Sequence, residues 1–271
     1  MINLSISNIA WNSVEDDDIV KILKKYKIEY IDIAPGKYFK NVLSVSHDEV
    51  IKVKNYWQKN NIKISAVQSI LYKTDNLNIF TFKKDSNEDI LHYLEKIMMI
   101  SNLLGAKKII FGSPKNRDRG NLNNDEVILK SIIFFRMLGD LAKKYSLDVC
   151  LEPNPSIYGC NFMTNTYETI EIIKKVNHDS IKLNLDIGAL NINREDIKDL
   201  MPICHDIVSY VHLSEPNLIS LNNSNFNYRD NIKTIRKFIP NIMFSIEMLN
   251  SSKLSNSDNV DKTIKFIQDQ I

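Results

Sequence analysis

Four residues able to hold a metal or move a proton fall at matching places in four successive apolar segments. Glu152 ends segment 148–152, Asp186 lies near the end of 182–187, His212 near the end of 207–213, and Glu247 near the end of 243–248. In an extended chain, alternate side chains share a face. On that period Val149 and Leu151 oppose Cys150 and Glu152, and Leu183, Leu185 and Ile187 oppose Asn184 and Asp186. Likewise Val211 and Leu213 oppose Tyr210 and His212, while Phe244, Ile246 and Met248 oppose Ser245 and Glu247. Three carboxylates brought together repel unless they are protonated or neutralised. One divalent cation answers this. An imidazole with three carboxylates is an oxygen-rich, fairly hard donor set, favouring Mn²⁺, with Mg²⁺ or Co²⁺ next and Zn²⁺ admissible. The competing reading is a purely structural polar cluster, against which four such residues on four successive segments weigh together.

Convergence requires elements that aim all four at one point. Strand signals occupy 3–9, 30–34, 62–68, 108–111, 148–152, 182–187, 207–213 and 243–248. Each is followed by apolar residues at helical spacing, for example Val50, Val53 and Trp57, or Leu91, Leu94, Ile97 and Met98. Ile197, Leu200 and Ile203 predict a single helix after the sixth strand. Eight strand–helix pairs without a linker or repeat predict one α/β domain over 1–271, a single (β/α)8 TIM barrel. An open doubly wound sheet also alternates, so the rhythm alone leaves it open. In a barrel the apolar face packs on the helices and the polar residues point inward. The intervals of 34 (152 to 186), 26 (186 to 212) and 35 residues (212 to 247) are each about one β/α unit. The polar stretches 72–85, 112–125 and 218–228 are expected as loops at the same end of the barrel, where barrel chemistry usually sits.

Composition excludes several classes. At 271 residues, 44% hydrophobic and 25% charged, the chain is of ordinary soluble type. A net charge of +2 offers no nucleic-acid groove and no membrane-binding face. Cys150, Cys160 and Cys204 form no CxxC pair or even framework, which suits a reducing compartment. With no basic leader and no apolar run near the roughly 18 residues of a membrane helix, the expected location is the cytoplasm.

The segments Leu151-Glu152-Pro153-Asn154-Pro155, Asn184-Leu185-Asp186-Ile187-Gly188, Val211-His212-Leu213-Ser214-Glu215-Pro216 and Ser245-Ile246-Glu247-Met248 also carry a family resemblance. So do the weaker Ala34-Pro35, Ala66-Val67-Gln68-Ser69 and Phe111-Gly112-Ser113-Pro114. The chain resembles the sugar isomerase/epimerase superfamily with the xylose-isomerase-like barrel, which includes ketose 3-epimerases and endonuclease IV. The resemblance implies a metal-dependent isomerase or epimerase of a sugar, sugar phosphate or nucleotide sugar. Glu152 and Glu247 would then be both ligands and the acid/base pair, with Asp186 and His212 completing the metal shell. Coordination of a carbonyl and its neighbouring hydroxyl acidifies the C–H between them and stabilises an enediolate. One carboxylate takes the proton and the other returns it on the opposite face. Alternatives are a metal-dependent dehydratase of a hydroxy-acid or keto-sugar, an abasic-site endonuclease, and a metal-binding pseudoenzyme. Two positions depart from the family: Ala189 stands where many relatives have His, and no Arg follows His212 within several residues. Endonuclease IV also needs several more histidines, whereas His47, His92, His178 and His205 fall on expected helices or helix ends. For the substrate, Gln68 and Asn154 are candidates to bind hydroxyls, and Lys115, Arg117 and Arg119 to bind an anionic group. Trp11, Tyr38, Phe39, Tyr158 and Phe162 are candidates to wall the pocket. Plain packing or a solvated charged loop is the alternative at each. Assembly is open, with a homodimer the form such barrels commonly take.

Overall fold

In the computed structural model, eight parallel strands close into a barrel in sequence order. Residues 2–74, 76–81, 90–224, 226–250 and 255–271 are described; the part of the expected loop 72–85 at 75 and 82–85 lies outside them. The strands are β1 (Asn3–Ser7), β2 (Tyr30–Ile33), β3 (Lys63–Val67), β4 (Lys108–Phe111), β5 (Asp148–Leu151), β6 (Ile181–Asp186), β7 (Val208–Ser214) and β8 (Met243–Glu247). Pairing of β1 with β8 closes the ring, and this excludes the open sheet.

Helices α1 (Asp16–Lys25), α2 (His47–Lys59), α3 (Ile90–Leu104), α4 (Asn124–Lys144) and α5 (Thr166–Val176) follow the first five strands. Then come α6 (Ile187–Asn193) and α7 (Ile197–Cys204) after β6, α8 (Tyr228–Phe238) after β7 and α9 (Asn256–Gln268) after β8. Their starts are written in the sequence. Ser46 caps α2 and Asn123 caps α4, each in a box with a glutamate three residues on, Glu49 and Glu126. The single helix expected after β6 is in fact two. Asp186 accepts from the backbone N–H groups of Gly188 and Ala189, so its carboxylate starts α6 directly at the strand end.

The main apolar core lies between strands and helices, where Phe111 and Phe134 each meet Phe135 edge-on and Trp57 is fully buried. Inside the barrel, Ala66, Ile110, Cys150 and Tyr210 form a separate small cluster. These are the inward residues of β3, β4, β5 and β7, and two positions further along the same faces stand Gln68, Gly112, Glu152 and His212. Asp32 lies in the interior too, where its Oδ1 accepts from Ser5 Oγ (2.8 Å), Ser65 Oγ (2.5 Å) and Tyr210 OH (2.6 Å). The expected loop 112–125 contains a 3-10 turn, Pro114–Arg117. The expected loop 218–228 contains another, Leu221–Asn223, before α8 begins. Among the described residues, no helix is long and apolar enough to cross a membrane.

Candidate metal centre

At the carboxyl end of the barrel, Glu152, His212 and Glu247 bring one donor atom each within 4.8 Å of one another. His212 is fully buried, and each carboxylate is 8% exposed. His212 Nδ1 lies 2.8 Å from Glu152 Oε1 and 3.1 Å from Glu247 Oε2. Neither oxygen sits where a ring N–H would make a hydrogen bond, so both imidazole nitrogens are unpartnered in a buried site. A nitrogen between two carboxylates without a proper hydrogen bond fits a cation-binding set.

Each carboxylate is held from behind by an amide. Asn184 Nδ2 donates to Glu152 Oε1 (2.6 Å), and Gln68 Nε2 donates to Glu247 Oε1 (2.8 Å). Amide donors orient a carboxylate without neutralising it, the usual work of groups behind a metal ligand. Gly112 makes room for the Glu152 side chain. A Cβ built there would fall 2.5 Å from Glu152 Oε2. Burial alone would raise the Glu152 carboxyl. The His212 ring, by charge and by contact, and then Arg117 hold it below the usual carboxylate range. Burial likewise works against a charged His212, yet Glu247 and Glu152 raise it well above the usual imidazole value.

Asp186 does not join the three. Its Oδ1 accepts from Gly188 N (2.8 Å), Ala189 N (3.4 Å) and Ser214 Oγ. Burial, with the Glu152 and Glu247 charges nearby, pushes its carboxyl up to about 7. It still borders the cleft above the trio, a space of about 530 Å³ bounded also by Gln68, Lys73, Lys115, Asn154 and Leu218.

Of the residues expected to bind substrate, Gln68, Lys115 and Asn154 reach this cleft. Gln68 uses its N–H on Glu247, while its Oε1 is unpartnered. Arg117 differs from the expectation. It is fully buried, and its NH1 donates to the Glu152 carbonyl (2.9 Å), so the guanidinium supports Glu152 and is not offered from a solvated loop. Arg119 binds the Leu122 carbonyl and Asn124 within its own loop. Trp11 also lies apart from the cleft. It is 1% exposed, packs edge-on to Trp57, and donates its Nε1 to Asp16 (2.7 Å). Tyr38 donates to the same carboxylate, Phe39 is buried, and Phe162 packs on Phe80. Tyr158 accepts from Asn217 N (2.8 Å), tying the loop after β5 to the loop after β7. Among the described residues, Tyr72 is the aromatic that borders the cleft. Ala189 meets Asp186 through its backbone N–H, and His47, His92, His178 and His205 lie outside the cluster.

Asn184 is expected inward but with no role, and Gly112 and Ser214 are not among the expected site residues. Gly112 carried a readable signal. It continues the inward face of β4 beside Glu152, in the register that pairs Phe111 with Leu151.

The fold recurs in known structures. D-psicose 3-epimerase with D-tagatose from Clostridium cellulolyticum H10 is 14% identical, with 99% of this chain and 98% of that one covered at a TM-score of 0.79. The 3-keto-D-glucoside 4-epimerase YcjR from E. coli is 13% identical, covering 99% and 100% at 0.79. IOLI protein with a bound zinc atom is 17% identical, covering 99% and 98% at 0.74. No curated protein sequence matches the chain significantly. The family model of the xylose isomerase-like TIM barrel matches residues 20–270, and the chain belongs to that family.

Proposed function

We propose that the protein is a divalent-metal-dependent isomerase or epimerase of a sugar or sugar derivative. The observation that carries this is the Glu152–His212–Glu247 cluster, buried at the carboxyl mouth of the barrel and open to a sugar-sized cleft. Glu152, His212 and Glu247 would hold the cation, Mn²⁺ being the best match to the donors, with Asp186 contributing its second carboxylate oxygen. When bound, the cation supplies Lewis acidity to a carbonyl and the hydroxyl beside it.

The remaining chemistry belongs to the chain. β5 and β8 stand on different sides of the mouth, with β6 and β7 between them, so Glu152 and Glu247 approach a bound sugar from different directions. One carboxylate removes the proton from the carbon next to the carbonyl, and the other delivers a proton to the opposite face. Gln68 and Asn184 keep both carboxylates aimed while this happens. The Gln68 side-chain carbonyl and the Asn154 amide would meet sugar hydroxyls, a reading supported by the unpartnered Gln68 Oε1 and by Asn154 lining the cleft. Lys73 and Lys115, from the loops after β3 and β4, line the outer cleft and favour a substrate carrying a phosphate or nucleotide.

The test incubates metal-loaded protein in deuterated water with free, phosphorylated and nucleotide-linked sugars, and reads exchange by NMR and product by mass. Metal-dependent deuterium uptake at one carbon with no mass loss of water, abolished in Glu247→Gln, is the expected result. Loss of water would identify a dehydratase. Absence of exchange with every sugar, metal bound, would sink the isomerase reading.

A further inference from the structure

The barrel has a second large cavity, about 720 Å³, at the end opposite the metal centre. It is bordered by the first residues of five strands, Tyr30, Lys63, Lys108, Val208 and Met243. Its volume is that of a small-molecule site. Tyr210 is the partition between the two sites. It borders this cavity, and its ring stands edge-on to His212 at 5.9 Å between centroids.

Three features of the lining describe an occupant. First, Lys54 of α2, Lys63 of β3, Lys107 just before β4 and Lys108 of β4 line the cavity, and no Asp or Glu borders it. Lys108 is already paired with Asp148 (2.5 Å), and Lys63 rests over the Tyr30 ring at 5.6 Å. Among the described residues, Lys54 and Lys107 have no carboxylate within 4.0 Å. Like charges gathered around an apolar hollow repel, and an anion reverses the sign of that energy. Second, the walls are mainly apolar, including Ile64, Leu104, Ile239 and Ile242, so the anion carries an apolar body. Third, the two hydroxyls at the inner end donate elsewhere. Ser65 Oγ and Tyr210 OH lie 2.5 and 2.6 Å from Asp32 Oδ1 and 3.0 Å from each other, and Ser65 Oγ is also 3.1 Å from the Ile31 carbonyl, so their protons are engaged inside the barrel. They present lone pairs to a neighbour, so the inner end of the ligand carries N–H or O–H donors.

We propose that this cavity is a second ligand site, taking a nucleoside phosphate with its base inward and its phosphates among the lysines. A flat, largely apolar base with N–H groups at one end and a polyanion at the other satisfies all three features.

Calorimetric titration of the metal-free protein with ADP, GDP, UDP, adenosine and pyrophosphate tests it. At least one nucleotide should bind with 1:1 stoichiometry, more tightly than adenosine or pyrophosphate. Lys54→Glu and Lys107→Glu should each weaken that binding by about tenfold or more. Both lysines lie outside the metal centre, so Mn²⁺ affinity and melting temperature should stay unchanged. Absence of nucleotide binding overturns the proposal. So does binding that the two variants leave intact or that Glu247→Gln abolishes, because such binding resides in the upper cleft. Pyrophosphate binding as tightly as any nucleotide reduces the cavity to a simple anion trap and overturns the nucleoside assignment.

Discussion

Replacing Gly112 by alanine separates the metal centre from the stability of the fold. Gly112 has no positive φ, so alanine is compatible with its backbone. A Gly→Ala change of this kind stabilises by about 0.4–1 kcal/mol through the unfolded chain. The added Cβ, however, would lie 2.5 Å from Glu152 Oε2, whereas ordinary contact begins at 3.4 Å. The neighbour that must give way is the end of a flexible side chain. The Glu152 carboxylate therefore retreats by about 0.9 Å, and the strand stays in place. Positioning within about 0.5 Å is what a preorganised site needs, and an error near 1 Å can cost about 100-fold. The expected outcome is a melting temperature of the metal-free protein that is equal or slightly higher. Mn²⁺ affinity by calorimetry should fall by about 100-fold. A Gly112→Ala protein that binds Mn²⁺ within threefold of the parent would refute the reasoning, because Glu152 would then not need the space. A drop in melting temperature of several degrees would refute it differently, by showing that backbone and not carboxylate moves.

Asn184→Leu removes the amide behind Glu152 at nearly constant volume. A hydrogen bond to a charged group contributes about 1.5–3 kcal/mol, so metal affinity should fall roughly 10- to 100-fold, with an unchanged affinity counting against the assigned role. The pH dependence of the metal-free protein has a definite sign. With its carboxyl pushed up to about 7, Asp186 keeps its proton in the folded barrel where the unfolded chain has lost it, so melting temperature should fall as pH rises from about 5 to 7. His212 adds loss in the same direction above about 6.5, and Asp186→Asn should flatten the lower part of the slope; a wild-type profile that rises through this window would contradict the assignment. Metal affinity should move oppositely and increase with pH, since the cation displaces the proton that the two carboxylates hold on His212, and a pH-independent affinity by calorimetry would count against that proton.

What could be read from the sequence is what main-chain periodicity controls. Alternation by two puts Glu152, Asp186, His212 and Glu247 on inward faces, and all eight strands lie within about two residues of their expected limits. Periodicity does not say what a side chain meets once it arrives. Asp186 faces inward at a strand end, as expected of a fourth ligand. Three donors from other residues, Gly188 N, Ala189 N and Ser214 Oγ, take one of its oxygens. The extra helix α6 begins at that cap, and its buried first turn, Ile187 to Leu190, is too short to stand out as a helical period.

The same limit explains Arg117 and Gln68. Charge and position in a polar loop point Arg117 toward solvent, because a guanidinium is strongly hydrated and rarely buried. Its partner is the carbonyl of Glu152, 35 positions away, and the negative site above makes the buried cation tolerable. Gln68 donates to a carboxylate 179 positions away, across the ring closure that only the finished barrel provides. Neither contact has a local signal, since each depends on strands meeting that are remote in the chain. Both act on the residues that periodicity did locate. A chain with the same four inward residues but other residues at 68, 112, 117 and 184 would keep the barrel and lose the aim of its carboxylates. The proposed chemistry is thus written twice, once in the spacing of the candidate ligands and once in the distant residues that hold them.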